Sequence, residues 1–414
     1  MTAPPHPEER HWLGAFLVFA LAYFLSALLR AVTATLAPSF SAEFGLGAAD
    51  LGLLAGAYFL GFALLQLPLG SGLDRHGPRR VEIGLLLLAI LGCAVFAASS
   101  GFAQLVLGRL LIGMGVAACL MAPLTYFRLH FGDALQLQCN SWMLMTGSLG
   151  MVASTVPVQL ALPALGWRGL FWLMAVLLAV GAVLLALRLP ADRPAGALGE
   201  ERARGRYWAI AGHREFLRLA PIGLLLHGGL LALQALWIGP WLTRVCGWSP
   251  EQASAGLLLV NVGMLCAFLG WGWLLPRLLR RGWSVHGLLS AGVPISLALL
   301  LLNAWLGEQA QAWHWMLWCV ATSVVAFGQP ALAQAFPVQM AGRALSAYNL
   351  VIFGGVFLLQ WGIGAGVDLL QATGVAVVDA FRLTVAGFGV LALLGYLWFL
   401  GLASQSAHNR TRPT

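Results

Sequence analysis

Apolar runs of about 20 residues follow one another along the chain, separated by Gly, Pro and clusters of charge. Each run is long enough to cross the hydrocarbon core of a bilayer as a helix. Breaking the sequence at those separators predicts twelve spans, at about 12–37, 50–73, 81–99, 102–130, 137–163, 167–189, 217–243, 252–276, 284–306, 312–335, 342–367 and 378–402. The longest polar interruption, from Pro190 to Phe216, divides them six and six. Its alternating acids and arginines read as a solvated linker, with a short amphipathic helix near Tyr207–Ile210 lying on the membrane surface. The expected organisation is therefore a six-helix bundle over 1–189, a cytoplasmic linker over 190–216 and a second six-helix bundle over 217–414. The halves echo each other at an offset of 202: Pro38 with Pro240, Gly45 with Gly247, Gly70 with Gly272, Leu73 with Leu275, Arg75 with Arg277. Parallel repeats of this kind, with a site at the bilayer midplane between them, are transporter architecture.

Composition reinforces the pattern. Of 414 residues, 60% are hydrophobic and 9% charged, with a mean hydropathy of +0.84. Soluble chains carry roughly a quarter charged residues, so this one lacks the polar surface to cover a globule in water. The net charge of +8 is all arginine, with no lysine, and its placement matters more than its size. With the N-terminus inside, the cytoplasmic connections hold Arg75, Arg79, Arg80, Arg128, the arginines of the linker, Arg277, Arg280, Arg281 and Arg343. The opposite loops hold Arg168 and Arg244 beside Glu43, Glu251, Glu308 and Asp368. This positive-inside asymmetry puts both termini in the cytoplasm, in a multi-pass protein of a bacterial inner membrane, and accounts for the charge without a nucleic-acid partner. The six cysteines form no CxxC and read as small packing residues. The first apolar run exceeds a signal-peptide core, so no cleaved signal is expected.

The loop GSGLDRHGPRR, Gly70 to Arg80, carries the most specific motif. Gly70 lets helices approach, Gly77 allows a tight turn, and Asp74 can pair with Arg or face a helix N-terminus. Together with Arg75, Arg79 and Arg80, these residues resemble the signature loop between helices two and three of the major facilitator superfamily. In span four, Arg109, Gly113 and Gly115 resemble that superfamily's R-x-x-x-G-x-G segment. The resemblance implies an all-α integral membrane fold of twelve helices in two pseudo-symmetric bundles, alternating access, and a loop that latches the halves on the cytoplasmic side. A plain basic turn is the competing reading of the loop, and snorkelling to the interface competes with an interior polar role for Arg109.

Arg30 stands within the first span, some 18 residues from Trp12. The segment from Arg30 to Arg80 looks like the anion:cation symporter branch, in which such an Arg binds the carboxylate or phosphate of an organic anion. A guanidinium suits that task, since it stays charged and meets a carboxylate bidentately. The chain also departs from the branch. Leu29 precedes Arg30 where the branch has Asp, and Val116 stands where its fourth helix often has Glu. All fifteen acids, Glu82 included, fall at termini, in loops or near span ends, so no buried carboxylate is expected to carry a coupling proton. Two readings of Arg30 remain: an anion anchor, or a snorkelling or structurally paired charge.

Further candidates lie in the second half. His227, with a pKa class suited to titration near neutral pH, shares a helical face with Leu231, Gln234 and Ile238; a hydrogen-bonded packing role is the alternative. Asn349 and Gln360, eleven residues apart, form one stripe in span eleven. Tyr23, Tyr58, Trp237 and Tyr348 are candidate cavity aromatics. No phosphate-binding loop, zinc cluster or nucleophile elbow stands out, so neither an enzyme, a bound cofactor, a metal nor an ATP-driven pump is expected. Nitrate/nitrite porters use Arg in helices two and eight, which these spans lack. The expectation is a monomeric secondary or facilitative carrier of a small organic anion, with or without a co-transported proton or other ion. An exporter of amphipathic compounds is the alternative, and a non-transporting membrane sensor a minor one.

Overall fold

The computed structural model describes residues 12–192 and 207–410, and the described backbone is helical almost throughout, with no strand. In chain order the helices are α1 (Trp12–Phe44), α2 (Ala48–Leu64), α3 (Gln66–His76), α4 (Pro78–Ala97), α5 (Phe102–Gly115), α6 (Met121–His130), α7 (Asp133–Ala153) and α8 (Val156–Arg188). Then come α9 (Arg214–Val245) and, after it, α10 (Pro250–Arg280) and α11 (Val285–Leu306). The last are α12 (Ala312–Gln334), α13 (Val338–Ala372) and α14 (Val377–Arg410).

Nine of the described helices are long and apolar enough to cross a bilayer, or ten when α2 and α3, bent by 45° at Leu65, count as one. The other expected spans are helices with interruptions. The fourth breaks into α5 and α6 around turns at 116–120. The fifth passes from α7 into the start of α8, which bends where Gly166 takes φ +62°, just after Pro163. Large side chains such as Leu91, Leu160, Leu187 and Trp305 are exposed, as befits helices whose outer faces meet acyl chains rather than water. Residues 207–211 form the short helix expected in the linker, with Trp208 exposed and Ile210 buried.

The described residues up to Leu36 and from Ala57 to Asp192 form one compact unit. Within it α4 packs chiefly on α5 and α8. Gly115 and Gly108 make the α4–α5 approach possible: a Cβ on either would run into the α4 backbone at Ala89 or Phe96. Gly113 does the same toward α2, where a Cβ would overlap the Tyr58 carbonyl oxygen. Phe96 then fills the α4–α8 contact, with its ring centroid 4.1 Å from that of Phe171.

Ala37–Gly56 and the described residues from Tyr207 onward form the second unit. In it α10 packs on α12, α11 on α12 and α14, and α9 on α13 and α14. The α10 start is specified locally: Ser249 and Gln252 form a capping box and Pro250 occupies the first helical position. The internal repeat has a backbone cause, because Gly45 and Gly247 both take a left-handed φ, +63° and +69°, just after α1 and α9. Three stretches of α9, at Ile222–His227, Leu233–Trp237 and Trp241–Val245, wind as π-helix. His227, Leu231, Gln234 and Ile238 therefore do not follow the uniform α-helical spacing from which their common face was read.

Candidate functional site

The first unit contains two arginines in an apolar interior. Arg109 of α5 is fully buried, and a single hydrogen bond runs from its Nη1 to the Leu29 carbonyl at 2.7 Å. Its Nε and Nη2 are buried without a hydrogen-bond partner. Its guanidinium lies 5.1 Å from the centre of the Tyr58 ring, a cation–π distance. The main-chain oxygen of Leu29 thus accepts from Arg109. Arg30, the next residue on α1, is half-buried, and its Nε is enclosed with no partner. Both guanidiniums lie within electrostatic reach of Tyr58, whose hydroxyl donates to the Ser26 carbonyl at 3.2 Å. Among the described residues neither arginine has an acidic partner. An unpaired buried cation costs several kcal/mol, and here the Tyr58 ring and the Leu29 carbonyl are what Arg109 meets. Tyr23 is placed elsewhere on α1, its ring against Gly147 of α7.

The signature loop is arranged around an acid that lies far away in sequence. Gly77, at φ +82°, ends α3 and starts α4 with Pro78 at the first helical position. The Asp192 carboxylate accepts from the Arg80 amide at 2.8 Å and the Arg79 amide at 3.4 Å, and it occupies the space that a Cβ on Gly77 would need. The Arg79 guanidinium donates to the Ala186 carbonyl. Gly70 lies on α3, and Asp74 and Arg75 are exposed on its last turns.

In the second unit the candidates take part in helix-to-helix hydrogen bonds. Gln234 donates to Asn261 at 3.0 Å, Trp237 to the Gln360 carbonyl at 3.1 Å, and Gln360 to the Ala232 carbonyl at 3.4 Å. Trp237 and Gln360 are thereby brought together. Tyr348 donates to the Leu219 carbonyl at 3.2 Å, and Asn349 accepts from Gln329 at 2.7 Å. His227 is half-buried with Nδ1 unpartnered.

A Major Facilitator Superfamily model matches residues 19–360. The chain belongs to the major facilitator superfamily. Among relatives of this superfamily member, a 4-hydroxybenzoate transporter, PcaK of Pseudomonas aeruginosa, is 29% identical over 43% of this chain and 40% of its own length. The MFS-type transporter VdtG of Byssochlamys spectabilis is 26% identical over 84% of this chain and 61% of its own. The chain thus spans between 40% and 61% of the length of these curated relatives. A bacterial homologue of the human lysosomal transporter Spinster, solved inward-facing and unoccupied, superposes with a TM-score of 0.76. It is 16% identical, over 99% of this chain and 100% of that one, and shares the fold. The superfamily's twelve-helix architecture is consistent with the interrupted helices described above.

One acid overturns a sequence expectation. Glu82, expected near a span end and away from the core, is fully buried, with neither carboxylate oxygen hydrogen-bonded. It belongs to the core stripe of α4, made by Pro78, Glu82, Leu86, Ala89, Cys93 and Phe96. Spacings of 4, 4, 3, 4 and 3 put these residues on one helical face, which the apolar residues on the other faces of α4 leave unmarked in the sequence. Asp192 and Asp368 were also missed as helix-capping acids. The Asp368 carboxylate accepts from the first amides of α2, Ala48 at 3.0 Å and Ala49 at 2.7 Å.

Proposed function

We propose that this protein is a secondary or facilitative carrier that moves a small organic anion across a bacterial inner membrane by alternating access, with both termini in the cytoplasm. The observation that carries the reading is the half-buried Arg30 and the buried Arg109 around Tyr58, with no acid paired to either among the described residues. Arg30 is the anchor. With no internal hydrogen bond, it has its guanidinium donors available for a bidentate carboxylate. The transport of 4-hydroxybenzoate by one relative, as its name states, supports a carboxylate substrate.

Arg109 and Tyr58 hold the site's field and shape, and the signature loop with Asp192 serves as a gating element. His227, Gln234, Trp237, Tyr348, Asn349 and Gln360 are the candidate substrate contacts of the second half.

The test is uptake into proteoliposomes with 4-hydroxybenzoate as the first probe, followed by other carboxylates, phosphates and lipophilic cations. Removing one partner of a buried, hydrogen-bonded charge pair costs about 2–5 kcal/mol. Arg30→Ala should therefore weaken anion binding by about thirtyfold or more, and Arg30→Lys by less. Uptake of a carboxylate by the wild type that survives Arg30→Ala unchanged would eliminate the anchor. Efflux of lipophilic cations without anion uptake would favour the exporter reading.

A further inference from the structure

The carboxyl group of Glu82 lies in the core of the first unit, one turn from the start of α4, with no cation to neutralise it. Arg109 on α5 is directed to Leu29, Tyr58 and Cys93. Arg168 on α8 donates to the Ser99 carbonyl, and Arg188, at the other end of that helix, is exposed. On α6, His130 bonds the Tyr126 carbonyl and Arg128 is exposed. Asp74, Arg75 and His76 of α3 are exposed as well, and Asp192 is taken by the amides of Arg79 and Arg80. Arg30 of α1 is within electrostatic reach of Tyr58. The group beside the Glu82 carboxyl is the Cys119 thiol, from the turn between α5 and α6, which makes no hydrogen bond of normal geometry to either oxygen.

An ionised carboxylate without donors or a counter-charge is among the least tolerable groups in an apolar interior, whereas the neutral acid is tolerated and can itself donate. We propose that Glu82 is a proton-binding site of this protein, protonated in the conformation described here, and that it carries the proton coupled to anion movement. The second half of that statement rests on the carrier reading above. Release breaks the carboxyl O–H bond and passes the proton to water that reaches Glu82 when the first turn of α4 loosens. Reloading forms the bond again from water on the other side, with no electron transfer.

A buried polar thread ties this site to the arginines. The Cys119 thiol faces both Glu82 and the Ser26 hydroxyl, and the Ser26 carbonyl accepts from Tyr58, which lies within electrostatic reach of both arginines. Loss of the proton therefore adds negative charge to the unit that holds Arg30 and Arg109. That charge competes with a bound anion for the same positive field, which gives the two ligands a physical reason to move together.

Infrared spectra of the reconstituted protein at neutral pH test the site without any substrate. A protonated-carboxyl C=O band is expected, removed by Glu82→Gln and shifted in frequency by Cys119→Ser. A band that persists in Glu82→Gln, or one that Cys119→Ser leaves in place, overturns the proposal, and the Cys119 variant decides the matter if Glu82→Gln fails to fold. In transport, Glu82→Gln should abolish the stimulation of 4-hydroxybenzoate uptake by a pH gradient; undiminished stimulation overturns the coupling role. Absence of any carboxylate uptake by the wild type counts against the carrier reading and leaves the infrared result to judge Glu82.

Discussion

Arg109 shows how much a single position can hold in this protein. It keeps a full charge in the interior with one hydrogen bond, one aromatic face and two orphaned nitrogens. What fixes it there is the close approach of α5 to α2 at Gly113, which brings the Tyr58 ring within 5.1 Å of the guanidinium. Gly113→Ala should force the two backbones apart. Overpacking of this kind costs about 1–3 kcal/mol, and it should appear as a lower melting temperature in detergent together with weaker carboxylate binding. Unchanged stability would mean that the α2–α5 contact yields easily and does not position Tyr58. The glycines were legible in the sequence as a close-packing motif. The partner of Arg109 was not, because it is a main-chain oxygen, which every residue possesses and no side-chain pattern reveals.

At the scale of the element, two helices begin on borrowed carboxylates. The first amides of α4 point at Asp192 and those of α2 at Asp368, each acid arriving from a distant part of the chain. A carboxylate at a helix N-terminus satisfies orphan N–H groups and meets the positive end of the macrodipole. Loss of such a cap costs about 0.5–2 kcal/mol. Asp192→Ala should speed amide exchange at Arg79 and Arg80, and Asp368→Ala at Ala48 and Ala49, with little change in the middle of either helix. Equal protection in variant and wild type would show that these carboxylates are not what holds the helix starts. The Gly77–Pro78 junction and the Ser249 capping box could be read from sequence, since turn chemistry acts between neighbours. Asp192 could not be assigned in that way, standing 113 residues from Arg79, nor could the π-helical winding of α9, which broke the single face drawn through His227 and Gln234.

For the whole molecule, the distribution of arginine makes a topological prediction. With both termini on the Arg-rich side, a fluorescent protein fused after Thr414 should fluoresce and an alkaline phosphatase fused there should stay inactive; the opposite pair of signals would invert the orientation. The sequence by itself determined the solvent of this chain, the approximate limits of its apolar segments and its superfamily. Transfer from water to hydrocarbon is a nearly additive property of consecutive residues, and the signature loop is contiguous. Only the tertiary structure decided which polar groups are buried and what they meet. Helices that are apolar on every side in a bilayer carry no stripe to say which face turns inward. Glu82 thus read as a residue near a span end until α5 and α8 packed around α4. Arg30 and Arg109, 79 residues apart in sequence, came within electrostatic reach of one side chain only when α1, α2 and α5 came together at Tyr58.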